Sequence, residues 1–231
     1  MHIGNATVTL AAPAQSQYVN RTTVGSSSFN LTGGTAVTAN LTVTGLNSEW
    51  FTVTATMQVS AETPTTLTLT GTPPSATLTM PAGSDVTVTV NITPIDTMGI
   101  TISTTHLDYG AHNISINNQN IPLGSGPTQP ADVVFEVFNG TGAAGWTLQV
   151  SSGIPTGGND ELARRMFLEG GVNTIMGAPA TVFSYSANTL INNFNWASAS
   201  FTGVEVRTVS GDAPPTTTLQ AALTWTVVVA P

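Results

Sequence analysis

The chain has 231 residues, of which 40% are hydrophobic and only 7% charged, and its net charge is −8. Four Arg and no Lys leave no basic patch for a nucleic-acid backbone, and the negative charge disfavours an anionic lipid surface. No apolar run reaches the roughly 18 residues of a membrane span, and the absence of Cys excludes disulfides and thiolate chemistry.

The first hundred residues alternate Thr with Val, Leu, Ile or Met. This period of two predicts strands that bury one face and expose Thr on the other. The predicted strands are 35–46, 50–59, 65–70, 76–80 and 85–93, separated by Gly, Pro and Asn turn signals. Strands at this spacing are typical of a β-sandwich. We therefore predict an Ig-like, Thr-rich domain over residues 1–98, with a boundary between 94 and 99.

A second module is predicted over residues 99–231. Its predicted strands are 99–103, 107–109, 113–116, 132–139, 145–151, 180–186, 197–209 and 216–230. One helix is predicted over 159–168, with Asn159 as its N-cap and Gly170-Gly171 at its end. The last strand is apolar on both faces, which predicts a central place in its sheet. The fold class is thus all-β, with two sandwich modules in tandem and one short helix in the second.

Two tryptophan motifs in this module carry a resemblance to a known family. The first is Gly145-Trp146-Thr147-Leu148-Gln149-Val150, and the second is Leu223-Thr224-Trp225-Thr226-Val227 near the end of the chain. Together with Leu107-Asp108-Tyr109-Gly110 and the strand that ends at Asn139, they resemble the WxL domain of Gram-positive cell-surface proteins. Val227 stands where the family usually has Leu. The resemblance covers about residues 99–231 and implies a surface protein that binds the cell wall non-covalently and has no enzymatic activity in this module.

The residues themselves give the motif tryptophans a structural role. In a strand, Trp146 shares a face with Leu148, and Trp225 shares one with Val227. A buried Trp anchors a sandwich core, so core packing is the favoured interpretation and stacking on sugar rings the alternative. Trp50 beside Phe51, and Trp196 after Phe194, put an aromatic residue on each strand face at a turn. We therefore expect one member of each pair to be exposed or at an interface, which makes Trp50 and Trp196 the better candidates for contacting carbohydrate or a partner.

The composition suits the cell exterior, although the chain begins without a signal peptide. Seven Asn-x-Ser/Thr sequons are candidate glycosylation sites; they begin at Asn5, Asn20, Asn30, Asn40, Asn91, Asn113 and Asn139. We expect a mature secreted chain at the cell surface whose leader is absent from this numbering. The alternative is a viral or cytosolic β-protein with its own start Met.

Strands with so few charges lack the usual protection against edge-to-edge pairing. An N-terminal segment that includes Asn5, Val8 and Leu10 is a candidate donor strand for the sheet of a neighbouring copy. Head-to-tail pairing of that kind builds fibres. A self-assembling filament or lattice subunit is therefore the second hypothesis, beside a protein that contacts wall polysaccharide or other surface proteins.

Catalytic patterns are scarce. His106, Asp108 and His112 fall within seven residues and are possible metal ligands. Because His112 lies beyond the turn at Gly110, whereas His106 and Asp108 lie before it, polar residues around a turn are the favoured interpretation. The adjacent acids Asp160 and Glu161 suit the start of a helix. We therefore predict no enzymatic activity, no metal and no cofactor.

Overall fold

The computed structural model describes residues 4–11, 23–24, 28–31, 37–81, 84–112, 117–124, 129–153, 161–208 and 219–230. The chain divides into two compact units, Met1–Ile95 and Asp96–Pro231. Nearly all of the regular secondary structure described in both units is β-strand, which confirms the all-β prediction. The division lies inside the segment 94–99, and the strand that begins at Met98 pairs within the second unit.

The described strands of the first unit form two sheets and are mainly antiparallel. Its strands are β1 (Gly4–Ala11), β2 (Thr23–Val24), β3 (Ser28–Leu31), β4 (Val37–Thr44), β5 (Phe51–Val59), β6 (Thr65–Leu67), β7 (Ser75–Met80) and β8 (Val86–Pro94). One sheet has the order β3-β1-β8-β5-β6, and the other has the order β2-β4-β7. Within the first sheet, β1 runs parallel to β8.

The alternation of Thr with aliphatic residues determines which face of each strand is buried. In β8, Val86, Val88, Val90 and Ile92 are all buried, whereas Thr87 is exposed. Successive side chains of a strand point to opposite faces. The Val and Ile side chains therefore supply the core, and the Thr side chains form the outer surface.

The described residues of the second unit form three three-stranded sheets. Its elements are β9 (Met98–Ile102), β10 (Gln119–Pro122), a 3-10 turn (Pro130–Asp132), β11 (Val134–Asn139), β12 (Trp146–Ser152), α1 (Glu161–Arg164), β13 (Met166–Leu168), β14 (Ala180–Tyr185), β15 (Ile191–Asn195), β16 (Val204–Thr208) and β17 (Leu223–Val229). The sheet orders are β15-β11-β9, β14-β12-β17 and β10-β16-β13. Residues of all three sheets meet in one hydrophobic core.

The predicted helix 159–168 is largely wrong. The described helix covers only Glu161–Arg164, and after Arg165 the residues Met166–Leu168 form β13, which pairs with β16. The Ala163 carbonyl accepts hydrogen bonds from the hydroxyls of Ser152 and Thr174, at 3.3 and 3.2 Å. The apolar run of β13 pairs with a neighbouring strand instead of continuing the helix, so tertiary pairing overrides local propensity. Asn159 lies outside the described residues.

Several predicted strands also differ from the observed ones. Residues 107–109 form no strand, and the strand predicted from residue 197 begins at Val204. β10 and β15 were not predicted, because their Asn and Pro content resembles a loop. The segment 113–116 lies outside the described residues.

The expected central position of the last strand is wrong. β17 is at the edge of its sheet and pairs only with β12 among the described strands. Its odd-numbered side chains are partly buried up to Val227, whereas Val228 and Val229 are 41% and 42% exposed. The apolar side chain on the second face of β17, Val228, is therefore exposed.

Candidate functional site: the hydroxyl face of the tryptophan strands

The two strands that carry the tryptophan motifs are direct neighbours. β12 and β17 pair antiparallel over their whole length, with Trp146 opposite Val229 and Val150 opposite Trp225. The two tryptophan motifs, which are far apart in the sequence, thus lie side by side in one sheet.

The motif tryptophans face the interior of the second unit. Trp146 and Leu148 are fully buried, and Trp225 and Val227 pack partly buried against the same core. The Trp146 ring lies 5.4 Å from the ring of Tyr185, and the Trp225 ring lies 4.9 Å from that of Phe135. Such ring separations are typical of stabilising aromatic pairs. These tryptophans therefore pack in the core, which agrees with the interpretation as core residues rather than with stacking on sugar rings.

Gly145, immediately before Trp146, is fixed by its surroundings. A Cβ atom on Gly145 would lie 2.7 Å from the backbone oxygen of Tyr185 on the neighbouring strand. The Gly145 carbonyl also accepts a hydrogen bond from the Ala230 N–H at 3.0 Å. The Gly-Trp sequence is therefore required by close strand packing, without reference to any ligand.

The opposite face of the same sheet is uncharged and rich in hydroxyl groups. Because β12 buries its even-numbered residues, its odd-numbered residues point outward, where they meet the even-numbered residues of β17. We call this surface the hydroxyl face; its residues are Thr147, Gln149, Ser151, Thr181, Ser184, Thr224, Thr226 and Val228. The three β12 residues are partly exposed, and the other five are exposed. Gln149 lies at the centre, opposite Thr181 on β14 and Thr226 on β17.

The chemistry of the hydroxyl face suits a neutral polyhydroxylated ligand. Each Thr or Ser hydroxyl donates one hydrogen bond and accepts others, and the Gln amide both donates and accepts. The face can therefore exchange several hydrogen bonds with such a ligand, and no charge is needed on either side.

Trp50 and Trp196 do not form the exposed contacts predicted for them. They are 3% and 5% exposed, so neither presents a ring for stacking on a ligand. Phe194 and Trp196 are two residues apart and share a face, and the Trp196 ring lies 5.1 Å from that of Phe201. Trp50 precedes β5 in a turn, where strand alternation does not apply. The next residue, Phe51, is also buried and lines a groove of about 320 Å³ in the first unit.

The sequons have different environments. Asn40 is exposed on β4, and Asn91 is partly exposed on β8. Asn139 is only 1% exposed; its amide donates to the Ala143 carbonyl at 2.8 Å, and its carbonyl oxygen accepts from the Thr141 hydroxyl at 2.9 Å. Asn139 is therefore a turn-forming residue, and its buried, hydrogen-bonded amide disfavours the predicted glycan. Asn5 and Asn30 lie in strands whose side chains are not described, and Asn20 and Asn113 lie outside the described residues.

The candidate donor strand belongs to the sheet of its own chain. β1, which contains Asn5, Val8 and Leu10, pairs with β3 on one side and with β8 on the other. A strand paired on both edges has no free ladder for a neighbour. Donation of this segment to a neighbour would therefore require β1 to leave the sheet of its own chain, and it stays a prediction.

The polar segment 106–112 is a loop anchored by Tyr109. The Tyr109 hydroxyl donates to the Val204 carbonyl at 3.0 Å, and burial, followed by the charge of Glu169, raises the pKa of the phenol. The Asp108 carboxylate accepts from the Gly110 N–H at 2.7 Å, and His112 Nε2 lies 2.5 Å from the Tyr109 carbonyl oxygen. Among the described residues, no three His, Asp or Glu side chains come close enough to share a metal.

An ion pair on β16 was not found by sequence reasoning. Glu205 is 5% exposed and accepts a hydrogen bond from Arg207 Nε at 2.6 Å, while the Arg207 guanidinium lies 4.3 Å from the centre of the Phe167 ring. Two charged residues spaced by two in a strand share a face, which is the signal that could have revealed the pair. The Arg207 charge neutralises Glu205, so this buried carboxylate has a structural role.

No helix in the described part of the chain has the length and hydropathy needed to cross a bilayer. Comparison with protein-family models, with curated proteins and with solved structures finds no match to this chain.

Proposed function

We propose that this chain is a non-enzymatic extracellular structural protein whose second unit attaches non-covalently to cell-wall polysaccharide through the hydroxyl face. The observation that carries the proposal is the two-sided construction of the β12–β17 pair. Its inward face holds the motif tryptophans in the core, and its outward face presents hydroxyl and amide groups without a charge. The resemblance to WxL domains supports the same partner.

Two of the described carboxylates are engaged within the protein, which supports binding rather than catalysis at these positions. Glu205 is neutralised by Arg207, and Asp108 caps its own turn. A general acid or base needs a carboxylate that can reach a substrate, and these two engage the protein itself. The protein holds its ligand by many weak polar contacts.

The test is co-sedimentation of the purified chain with isolated Gram-positive wall material. The variant carries both Gln149→Glu and Thr181→Glu, which place negative charges at neighbouring positions of the hydroxyl face. A buried or ligand-covered charge costs much more than a neutral hydrogen-bonding group. We therefore expect at least a tenfold loss of wall affinity with the fold retained.

The matched control is Thr87→Glu, at an exposed strand threonine of the first unit. It adds negative charge outside the hydroxyl face and is expected to leave wall affinity within about twofold of the parent chain. Equal retention of the double variant and the parent chain would refute the hydroxyl face as the binding surface. No retention of the parent chain at moderate salt would refute wall attachment itself.

The second hypothesis, a filament joined by donation of β1, is not favoured, because β1 already completes its own sheet.

A further inference from the structure

We propose that the outer edge of β17 pairs antiparallel with β17 of a second copy of this chain, with the two-fold axis at Thr226. The pairing is independent of wall attachment, since it requires no polysaccharide. It concerns the backbone edge of β17, whereas the hydroxyl face consists of side chains.

The hydrogen bonds at both ends of β17 show which residues face outward. The Ala230 N–H donates to the Gly145 carbonyl, and the Ala222 carbonyl accepts from the Gly153 N–H, at 3.0 and 2.7 Å. Even-numbered residues of this antiparallel ladder therefore direct their backbone groups toward β12. The odd-numbered residues direct theirs to the open edge; these are Leu223, Trp225, Val227 and Val229. Within the described part of the chain, β17 forms no ladder on that side.

The other edge of the same sheet is protected, which makes the open edge of β17 distinctive. β14 carries a bulge opposite Leu148 and Gln149, and its Val182 carbonyl accepts the Thr202 N–H at 2.8 Å. Bulges and covering loops are the usual protection of edge strands, as are charged side chains. Residues 219–230 contain no charged residue, so β17 lacks the charges that usually keep edges apart.

The sequence of β17 is complementary to itself around Thr226. In an antiparallel pair centred there, Leu223 lies opposite the second copy's Val229, and Trp225 lies opposite its Val227. All four outward residues would then exchange backbone hydrogen bonds. On the outer face, Thr224 would lie beside the second copy's Val228, which is 41% exposed in the single chain.

The absence of charge also selects a second copy as the partner. A net charge of −8 disfavours the approach of two copies of the chain, but this edge contributes no charge to that repulsion. β9, the edge strand of the facing sheet, lies near β17 but is hydrogen-bonded only to β11 among the described strands. None of the described strands fills the outer ladder of β17, and a second β17 matches it in length and polarity.

Disulfide trapping tests both the partner and the register, because the chain has no cysteine of its own. In a non-hydrogen-bonded antiparallel pair, opposite Cα atoms lie about 4.5 Å apart, within the range that a disulfide spans. Thr226→Cys is expected to yield mostly covalent dimer under mild oxidation, read on a non-reducing gel. Thr224→Cys is the matched control, since its two copies would lie about 14 Å apart along the strands.

A mixture of Thr224→Cys and Val228→Cys chains is expected to restore cross-linking, because those positions face each other across the two-fold axis. Equal cross-linking of Thr226→Cys and Thr224→Cys, or none by either, would overturn the proposed pairing. Sedimentation velocity of uncross-linked chains provides the second measurement. Thr226→Lys and Thr226→Glu are each expected to be monomeric, and their equimolar mixture dimeric; a mixture that stays monomeric contradicts the register.

Discussion

Replacing Trp146 by Ala tests whether this motif residue anchors the core or binds ligand. Trp146 has no exposed surface and packs 5.4 Å from the Tyr185 ring and 5.7 Å from the Phe183 ring. Truncating a fully buried Trp removes its apolar contacts and leaves a cavity, at a cost of about 3–5 kcal/mol. With a urea dependence of about 2 kcal/mol per M, the midpoint of the second unit should fall by about 1.5–2.5 M.

Urea titration followed by tryptophan fluorescence measures this shift, with separate transitions fitted for the two units. Trp225→Ala should cost less, because that ring is only partly buried on an edge strand. Val172→Ala is the surface control; Val172 is 86% exposed, so its replacement should change stability by less than about 0.5 kcal/mol. An unshifted midpoint for Trp146→Ala combined with lost wall binding would refute the core assignment.

Three further predictions concern buried polar groups. Tyr109→Phe should cost about 1 kcal/mol through its lost hydrogen bond. The raised pKa of Tyr109 also makes the stability depend on pH. In the unfolded chain the phenol ionises near pH 10, whereas burial and the charge of Glu169 keep it neutral in the folded chain. The free energy of unfolding should therefore fall as the pH rises above about 10, by up to about 1.4 kcal/mol per pH unit. Unfolding titrations at pH 9 and 11 should show a shallower fall for Tyr109→Phe, and equal falls would contradict this. Arg207→Met should cost about 3–5 kcal/mol by leaving Glu205 buried and unpaired, and thermal unfolding should show that adding Glu205→Leu recovers most of it. Asn139→Ala should cost about 1–3 kcal/mol, and peptide mapping after expression in a glycosylating host should find no glycan at Asn139.

The strand pattern of the first unit could be read from the sequence because each strand has one buried face. In β8, the alternation of Val or Ile with Thr and Asn corresponds directly to the observed burial. The predicted strands 50–59 and 76–80 lie within one residue of β5 and β7 at each end. Period-two patterns carry this information because side-chain direction in a strand depends only on position along it.

Features set by long-range pairing could not be read in the same way. β13 has a helical local sequence, but Met166–Leu168 pairs with β16 some forty residues later. The edge position of β17 depends on sheet order, which no local pattern specifies. The exposure of Trp50 and Trp196 was mispredicted for a related reason, since strand alternation was applied where the chain turns or where two residues share a face.

The sequence alone predicts only part of the hydroxyl face. The alternation within β12 and within β17 places Thr and Gln on one face of each strand and Trp and Leu on the other. The position of Gln149 beside Thr226 is set by the register in which the two strands pair. Residues about seventy-five positions apart thus form one surface. A local pattern can indicate what a strand presents, whereas the combined surface requires the pairing.

The claim that this protein acts by binding and not by chemistry is tested most directly by incubating the purified chain with washed wall polysaccharide. Both the protein retained on the solid and the sugar released into solution are measured over several hours. The account predicts saturable retention with no release of reducing sugar above the buffer control. Steady release of soluble sugar together with poor retention would contradict it.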